Sequence, residues 1–170
     1  MFHWTQLTWL MYHLISLQMN QDDKNKYIVF FKSFQVLIPC GYCKKHYNEV
    51  LNNSNMKIEK NVYNNNLFNW TIDIHSCVNK KNHKKIWSYQ EANEYYSSYY
   101  LKKEELLAFL NIYYRFTINR GINYKNYFIN MIQNFVHIMP YHELKNNLIL
   151  LFHDVSAQNL DNKMKLMNEL

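Results

Sequence analysis

Hydrophobic residues recur at helical spacing along most of the chain. Near the N-terminus, leucines occupy positions 7, 10, 14 and 17, which predicts a helix over about residues 4–19. Asp22 and Asp23 are suited to cap a second helix, whose broad apolar face continues to Ile38. Pro39 ends this helix, because the residue before a proline is pushed out of helical geometry.

Apolar segments and polar connections alternate further along the chain. A third, short helix is predicted from the region of Cys40 to about Leu51, followed by a polar loop over residues 52–66 with one turn near residues 56–58. A fourth helix is predicted over residues 67–81. Ser88 and Glu91 then form a capping-box pattern that begins a fifth helix.

The C-terminal part of the chain continues the helical pattern. Three further helices are predicted over residues 101–118, 124–138 and 141–152, with Gly121 and Pro140 between them. The last segment, from about Ser156, is polar and is expected to fray. The chain has only two glycines and two prolines, fewer than a sheet protein normally uses in its turns. We therefore predict an all-α fold.

Composition and charge narrow the possible functions. With 170 residues, 48% of them hydrophobic, the chain is long enough for one or two small domains with a real core. The formal net charge of +6 would suit an anionic partner, but the lysines are scattered and the only arginines are Arg115 and Arg120. We therefore do not expect dedicated nucleic-acid binding. No apolar run has the length of a membrane span, and no signal peptide is recognisable, which favours a cytosol-like compartment.

Cys40 and Cys43 are the strongest chemical signal in the chain. Two thiols separated by two residues can close and reopen a small disulfide ring, or supply half of a metal site. A zinc site is disfavoured, because His75 and Cys77 lie two residues apart on a predicted helix and point in nearly opposite directions. A thioredoxin-type fold is disfavoured as well, since no strand pattern precedes the pair. This leaves a helical redox protein whose cysteines lie at a helix N-terminus, where free amides and the helix dipole favour thiolate.

A second motif lies on the predicted fourth helix. It is a largely polar stripe made of His75, Val78, Asn79 and Asn82. His75 and Asn79 are four residues apart and therefore share one helix face. A polar stripe inside a bundle needs a partner, and a large flat ligand with ring nitrogens, hydroxyls and phosphates would supply one. Lys84 and Lys85, just past the stripe, are suited to bind a pyrophosphate.

Trp9 and His13 repeat the four-residue spacing on the first helix and are placed to contact the same ligand from the opposite side. With these residues the chain resembles the Erv/ALR family of FAD-linked sulfhydryl oxidases. The matching positions are Trp9, His13, Cys40, Cys43, Trp70, His75, Val78, Asn79 and Lys84. The resemblance covers about residues 4–100, and in its compactness the chain is similar to the versions carried by large DNA viruses.

The resemblance implies both a fold and a cofactor. It implies a four-helix bundle closed by a short fifth helix over residues 1–100, with a helical extension over residues 101–170 that forms an interface or a packing layer. It also implies that FAD is bound within the bundle. The residues expected to bind it are Trp9, His13, His75, Val78, Asn79, Lys84, Lys85 and Trp87.

The resemblance further implies how the chemistry is divided. Cys40 would be attacked by a substrate dithiol, and Cys43, nearer the flavin, would pass the electrons to FAD. Oxygen would be the final acceptor, giving hydrogen peroxide. The implied partners are a dithiol protein, in particular a small thioredoxin-like carrier, and a second copy of the chain in a homodimer. The implied location is the host cytoplasm or the virion.

Some positions depart from the family pattern. Ser76 stands where the family usually has asparagine, and Asn82 where it usually has leucine. These differences leave room for an alternative, a helical viral structural or scaffolding protein with a vestigial oxidase site. Cys77 matches neither position of the structural disulfide in cellular members. We expect it to be a buried free thiol, and the competing interpretation is an intermolecular contact.

Overall fold

The computed structural model describes residues 3–170, which form ten α-helices and no β-strand. The helices are α1 Trp4–Leu17, α2 Lys24–Leu37, α3 Gly41–Asn52, α4 Ile58–Tyr63, α5 Leu67–Lys81, α6 Tyr89–Ser97, α7 Lys103–Ile118, α8 Ile122–Ile138, α9 His142–Phe152 and α10 Leu160–Met167. The prediction of an all-α fold is confirmed. The predicted bounds of α5 agree with the structure at both ends.

Capping side chains explain where several helices begin. Ser88 Oγ accepts a hydrogen bond from the Glu91 backbone N–H, and the Glu91 carboxylate accepts one from the Ser88 N–H, which confirms the predicted capping box. The prediction for α2 is only partly right. Asp23 occupies the N-cap position, but its carboxylate makes no capping hydrogen bond and pairs with Lys26 instead. Asn20 caps the short 3-10 turn that precedes α2.

Two segments expected to lack regular structure are helical. The predicted loop over residues 52–66 contains α4, whose Ile58 and Val62 are buried one turn apart. The C-terminal segment expected to fray contains α10, whose Leu160, Met164 and Met167 are buried at helical spacing. Both predictions were wrong because each segment contains only a short apolar stripe, and the asparagines and lysines around it made the segment resemble a loop.

Helix α2 lies at the centre of the packing. It makes the most extensive helix–helix contact of the structure with α8, and it also packs on α3, α4 and α7. Phe30 of α2 stacks on Phe135 of α8 with ring centroids 5.5 Å apart, and Phe34 meets the Tyr113 ring edge-on at 5.1 Å. A single hydrophobic cluster therefore includes residues from both the N-terminal and the C-terminal parts of the chain.

Helix α1 packs on α5, α6 and α7. This places the tryptophan and histidine of α1 opposite the polar stripe of α5, close to the start of α3. None of the helices in the described part of the chain combines the length and the apolar character that crossing a bilayer requires.

Candidate functional site

Cys40 and Cys43 form a disulfide at the N-terminus of α3. Their Cα atoms are 5.2 Å apart, a separation that a disulfide spans readily. Cys40 is the N-cap residue, and its Sγ accepts a hydrogen bond from the Cys43 backbone N–H at 3.2 Å. Both residues are half-buried, so the disulfide sits at the edge of the core rather than inside it.

Cys43 lines a cavity of about 170 Å³, whereas Cys40 is not among the lining residues. The walls of the cavity are mainly aromatic and aliphatic. They are formed by Trp4, Thr5, Thr8, Trp9, Tyr12, Ile38, Tyr42, Cys43, His46, Tyr47, Ile74, Val78, Lys81 and Asn82. Ligand pockets are typically about 300–1,000 Å³ in volume, so this cavity is too small for a whole dinucleotide.

One residue of the cavity wall, Tyr12, carries a buried polar atom without a partner. Tyr12 is 1% exposed, and its Oη has no hydrogen-bond partner in residues 3–170. The Tyr47 hydroxyl lies close by but donates to the Phe31 carbonyl at 2.9 Å. Burial, followed by the neighbouring Tyr47 and Tyr113 hydroxyls, raises the pKa of Tyr12 well above its usual value. The aromatic and aliphatic walls of the cavity suit a planar ring, and an unpaired buried hydroxyl in the same wall residue would gain a partner if a ligand reached it.

Trp9, His13 and His75, expected to contact one ligand from opposite helices, contact each other directly in the structure. The Trp9 and His75 rings stack with centroids 4.1 Å apart and an interplanar angle of 6°. His13 Nε2 lies 2.9 Å from His75 Nδ1, and His13 Nδ1 lies 2.9 Å from the Thr71 hydroxyl. The three rings therefore form one stacked and hydrogen-bonded unit between α1 and α5.

Both histidines of this unit are held neutral. Burial, and secondly the neighbouring His75, lowers the pKa of His13 well below its usual value. Burial, and secondly the charge of Lys84, lowers the pKa of His75 to about 4. Neutral imidazoles can share a proton in a hydrogen bond and can present a flat face to another ring.

A second, much smaller cleft lies beyond the Trp9–His75 stack, since Trp9 lines the first cavity and His75 lines the second. Its volume is about 10 Å³, and its walls are formed by His13, Ile72, His75, Ser76, Asn79, Trp87 and Tyr96. The Trp9–His75 stack thus separates two clefts. A ligand with two ring systems can occupy both only if the second cleft widens.

The connection between α5 and α6 is stabilised by contacts of four predicted site residues, Asn79, Lys84, Lys85 and Trp87. Asn79 Nδ2 donates to the Lys85 carbonyl at 2.8 Å, and the Lys84 N–H donates to the Asn79 carbonyl at 2.9 Å. The Lys85 ammonium pairs with Glu91 at 3.0 Å and lies 4.9 Å from the centre of the Trp87 ring. The Lys84 ammonium is exposed, which leaves it accessible to an anionic group.

Two expectations about α5 are corrected by the structure. Cys77 is an exposed free thiol and not a buried one. Asn82 is not buried with the rest of the polar stripe, since it is exposed and its Nδ2 donates to the Val78 carbonyl at 2.9 Å, although it also lines the cavity beside Cys43.

Sequence reasoning missed several residues around the cavity. Tyr12 and Tyr47 form part of its wall, and Tyr96 packs on His13 with ring centroids 4.6 Å apart. Their helical spacing from Trp9 and Cys43 was a usable signal. Tyr12 lies three residues after Trp9, and Tyr47 lies four residues after Cys43, so each shares a helix face with a predicted site residue.

Comparisons with known proteins show which family the chain resembles. Residues 6–97 match the model of the Erv1 / Alr family. A probable FAD-linked sulfhydryl oxidase of Acanthamoeba polyphaga mimivirus is 36% identical over 95 residues, which cover 54% of this chain and 66% of that protein. The FAD-linked sulfhydryl oxidase of African swine fever virus is 28% identical over 109 residues, which cover 62% of this chain and 89% of that protein. No solved structure matches the chain significantly.

Proposed function

Since the chain belongs to the Erv1 / Alr family, we propose that it is an FAD-dependent thiol oxidase that forms disulfides in a protein substrate. The relatives' names support this activity, because two viral proteins that match the chain are FAD-linked sulfhydryl oxidases by name. The match spans 66% of the mimivirus protein's length, so the activity is proposed for the part that the two chains share.

One observation carries the proposal. The Cys40–Cys43 disulfide lies at the N-terminus of a helix. Of the two cysteines, Cys43 lines a cavity with aromatic walls and Cys40 does not. A structural disulfide needs no such cavity, whereas a redox disulfide must face both an electron acceptor and an incoming thiol. The two sulfur atoms occupy different settings, as these two tasks require.

The residues present fit FAD. The cavity beside Cys43 suits its ring system, with Trp9 and Val78 in the wall and the unpaired Tyr12 hydroxyl behind it. His13, His75, Asn79 and Trp87 line the second cleft, and the exposed Lys84 and neighbouring Lys85 lie beyond it, where phosphates could bind. The chemistry that bound FAD supplies is two-electron transfer from a dithiol to molecular oxygen, with hydrogen peroxide as the product.

The chain's own part of the reaction is thiol–disulfide exchange. A substrate thiolate attacks Cys40 Sγ, the Cys40–Cys43 bond breaks, and Cys43 leaves as a thiolate. The second substrate thiol then attacks the substrate sulfur of the mixed disulfide and releases Cys40. The substrate has lost two electrons and two protons, and the cysteine pair has gained the two electrons.

The proposal is tested by spectroscopy and by oxygen consumption. Purified protein is expected to show the visible absorption of a flavin and to consume oxygen with dithiothreitol. Cys43→Ser should keep the flavin and lose the oxidase activity. Cys77→Ser is the matched control, since it removes an exposed thiol outside the cavity and should keep both. Protein that never binds flavin, or full activity in Cys43→Ser, would overturn the proposal.

Several finer points belong to the same proposal. We propose a small thioredoxin-like protein as carrier, a homodimer as the assembled form, and the host cytoplasm or the virion as the location. The sequence resemblance described above supports them. Sedimentation of the oxidised protein tests the dimer. Flavin occupancy also separates the oxidase from the alternative, a scaffolding protein with a vestigial site.

A further inference from the structure

The turn between α7 and α8 lies against the redox motif, although it is outside the part of the chain that matches the family. The Arg120 guanidinium donates a hydrogen bond of 3.4 Å to the carbonyl of Pro39, the residue directly before Cys40. These two residues are 81 positions apart in the chain. The C-terminal part of the chain therefore places a cation at the residue that directly precedes the disulfide.

A tyrosine fixes this arrangement. The Arg120 guanidinium lies 5.5 Å from the centre of the Tyr124 ring, and the Lys44 ammonium lies 5.8 Å from the same ring. Gly121, with φ +89°, adopts a conformation that other residues rarely take and turns the chain from α7 into α8 directly after Arg120. The Tyr124 ring is thus close to two cations, Lys44 of α3 and Arg120 of the turn.

These two cations have no carboxylate partner. The sequence contains no Asp or Glu over residues 33–48 or over residues 106–142. Neither Lys44 nor Arg120 forms an ion pair in the described part of the chain. Lys125, in the first turns of α8, pairs instead with Asp161 at 4.0 Å. Arg120 and Lys44 are exposed and half-exposed, so their charges are available to a partner.

We propose that Arg120 and Lys44 form a docking site for an acidic polypeptide segment that carries the substrate dithiol. This inference rests on the proposed function, since it names the charge of the substrate that reaches Cys40. The guanidinium has five N–H donors in a planar fork, and one bond to Pro39 leaves the others free for a carboxylate. A carboxylate held there positions a neighbouring substrate thiolate for attack on Cys40 Sγ, with Cys43 as the leaving group.

The exchange step can be measured without the cofactor. In a Cys43→Ser, Cys77→Ser protein, Cys40 is the only remaining cysteine and is converted to a mixed disulfide with thionitrobenzoate. Reduced peptides with the same dithiol flanked by glutamates, glutamines or lysines then attack this disulfide and release the coloured thiol. We expect the glutamate peptide to react about fivefold faster than the glutamine peptide at low ionic strength, and the lysine peptide to react more slowly.

Charge variants decide the outcome. Arg120→Glu should abolish or reverse the preference for the glutamate peptide, and Arg120→Gln, which keeps a donor for the Pro39 carbonyl, should reduce it. Lys165→Glu on α10 is the matched charge reversal and should keep the preference. The preference should also fade at high salt. Equal rates for the three peptides, or an unchanged preference in Arg120→Glu, would overturn the docking site even if the protein proves to be an active flavin oxidase.

Discussion

Replacing Tyr12 with phenylalanine is expected to stabilise the protein in the absence of a ligand. Tyr12 is 1% exposed and its Oη is unpaired within residues 3–170. Burying a hydroxyl without a hydrogen bond costs about 1–3 kcal/mol. The phenyl ring of the variant keeps the edge contacts with Phe31 and Phe34, whose centroids lie 4.8 Å and 5.0 Å from that of Tyr12. The net effect should be a gain of about 1 kcal/mol in the free energy of unfolding.

Tyr113→Phe is the matched control. The Tyr113 hydroxyl is equally buried, but it lies 2.7 Å from the Thr8 hydroxyl, which itself donates to the Trp4 carbonyl. Tyr113 is therefore the donor in this pair, and its loss should cost about 0.5–1.5 kcal/mol. The two variants change the same atom of the same residue type, and the expected changes in stability have opposite signs.

Urea unfolding followed by far-ultraviolet circular dichroism measures both variants, with the disulfide intact and no flavin present. In thermal unfolding, a change of 1 kcal/mol should move the midpoint by about 2–4 °C for a chain of this size. A loss of stability in Tyr12→Phe similar to that in Tyr113→Phe would refute the reasoning, because it would mean that the Tyr12 hydroxyl is already paired. If FAD pairs with this hydroxyl, the advantage of Tyr12→Phe should shrink when FAD is added.

Three other expectations concern the core, the histidines and the free thiol. Phe135→Ala should lower the free energy of unfolding by about 3–5 kcal/mol in urea titrations, because Phe135 is fully buried. Tyr127→Ala, on the exposed side of α8, should change it by less than about 0.5 kcal/mol. Equal effects of the two variants would contradict a core shared between the N-terminal and C-terminal helices. The pKa of His75 is about 4 in the folded protein and about 6.5 in the unfolded chain, so between these values the unfolded chain binds more protons than the folded protein. The free energy of unfolding should therefore fall as the pH drops from about 6.5 towards 4, by up to about 1.4 kcal/mol per pH unit. In His75→Gln, urea titrations over this pH range should show a shallower fall, and an unchanged slope would argue against a neutral His75. Cys77 should react with a maleimide in the folded, oxidised protein, as seen by mass spectrometry, whereas a buried thiol would react only after unfolding.

The sequence predicted the parts of the fold that depend on local patterns. The predicted bounds of α5 and the predicted Ser88–Glu91 capping box both agree with the structure. Each prediction depends only on residues within a few turns of one helix: the spacing of apolar side chains in α5, and a serine three residues before a glutamate at the start of α6. Spacing and a family resemblance predicted that Trp9, His13 and His75 contact the same ligand, but not that their rings contact each other. Helices α4 and α10 were missed because their stripes are short and lie among polar residues.

Contacts between distant parts of the chain could not be predicted in this way. No periodic pattern shows that Arg120 reaches Pro39, or that Tyr113 pairs with Thr8, because each contact depends on how α7 packs against α1 and α2. The exposure of Cys77 has the same origin. Its place on α5 was known from the sequence, but whether that face meets another helix depends on the arrangement of the whole bundle.

The position of α2 has a consequence for how the protein unfolds. Phe30 and Phe34 bind the C-terminal helices, while Phe31 of the same helix packs edge-on against Trp70 of α5, with ring centroids 5.2 Å apart. Detaching α8 would expose one side of α2 while α5 still held the other, which makes a half-folded chain unfavourable. The redox motif directly follows α2, so the structure around it should unfold in the same cooperative transition as the C-terminal helices. Calorimetry should then show a single heat-absorption peak.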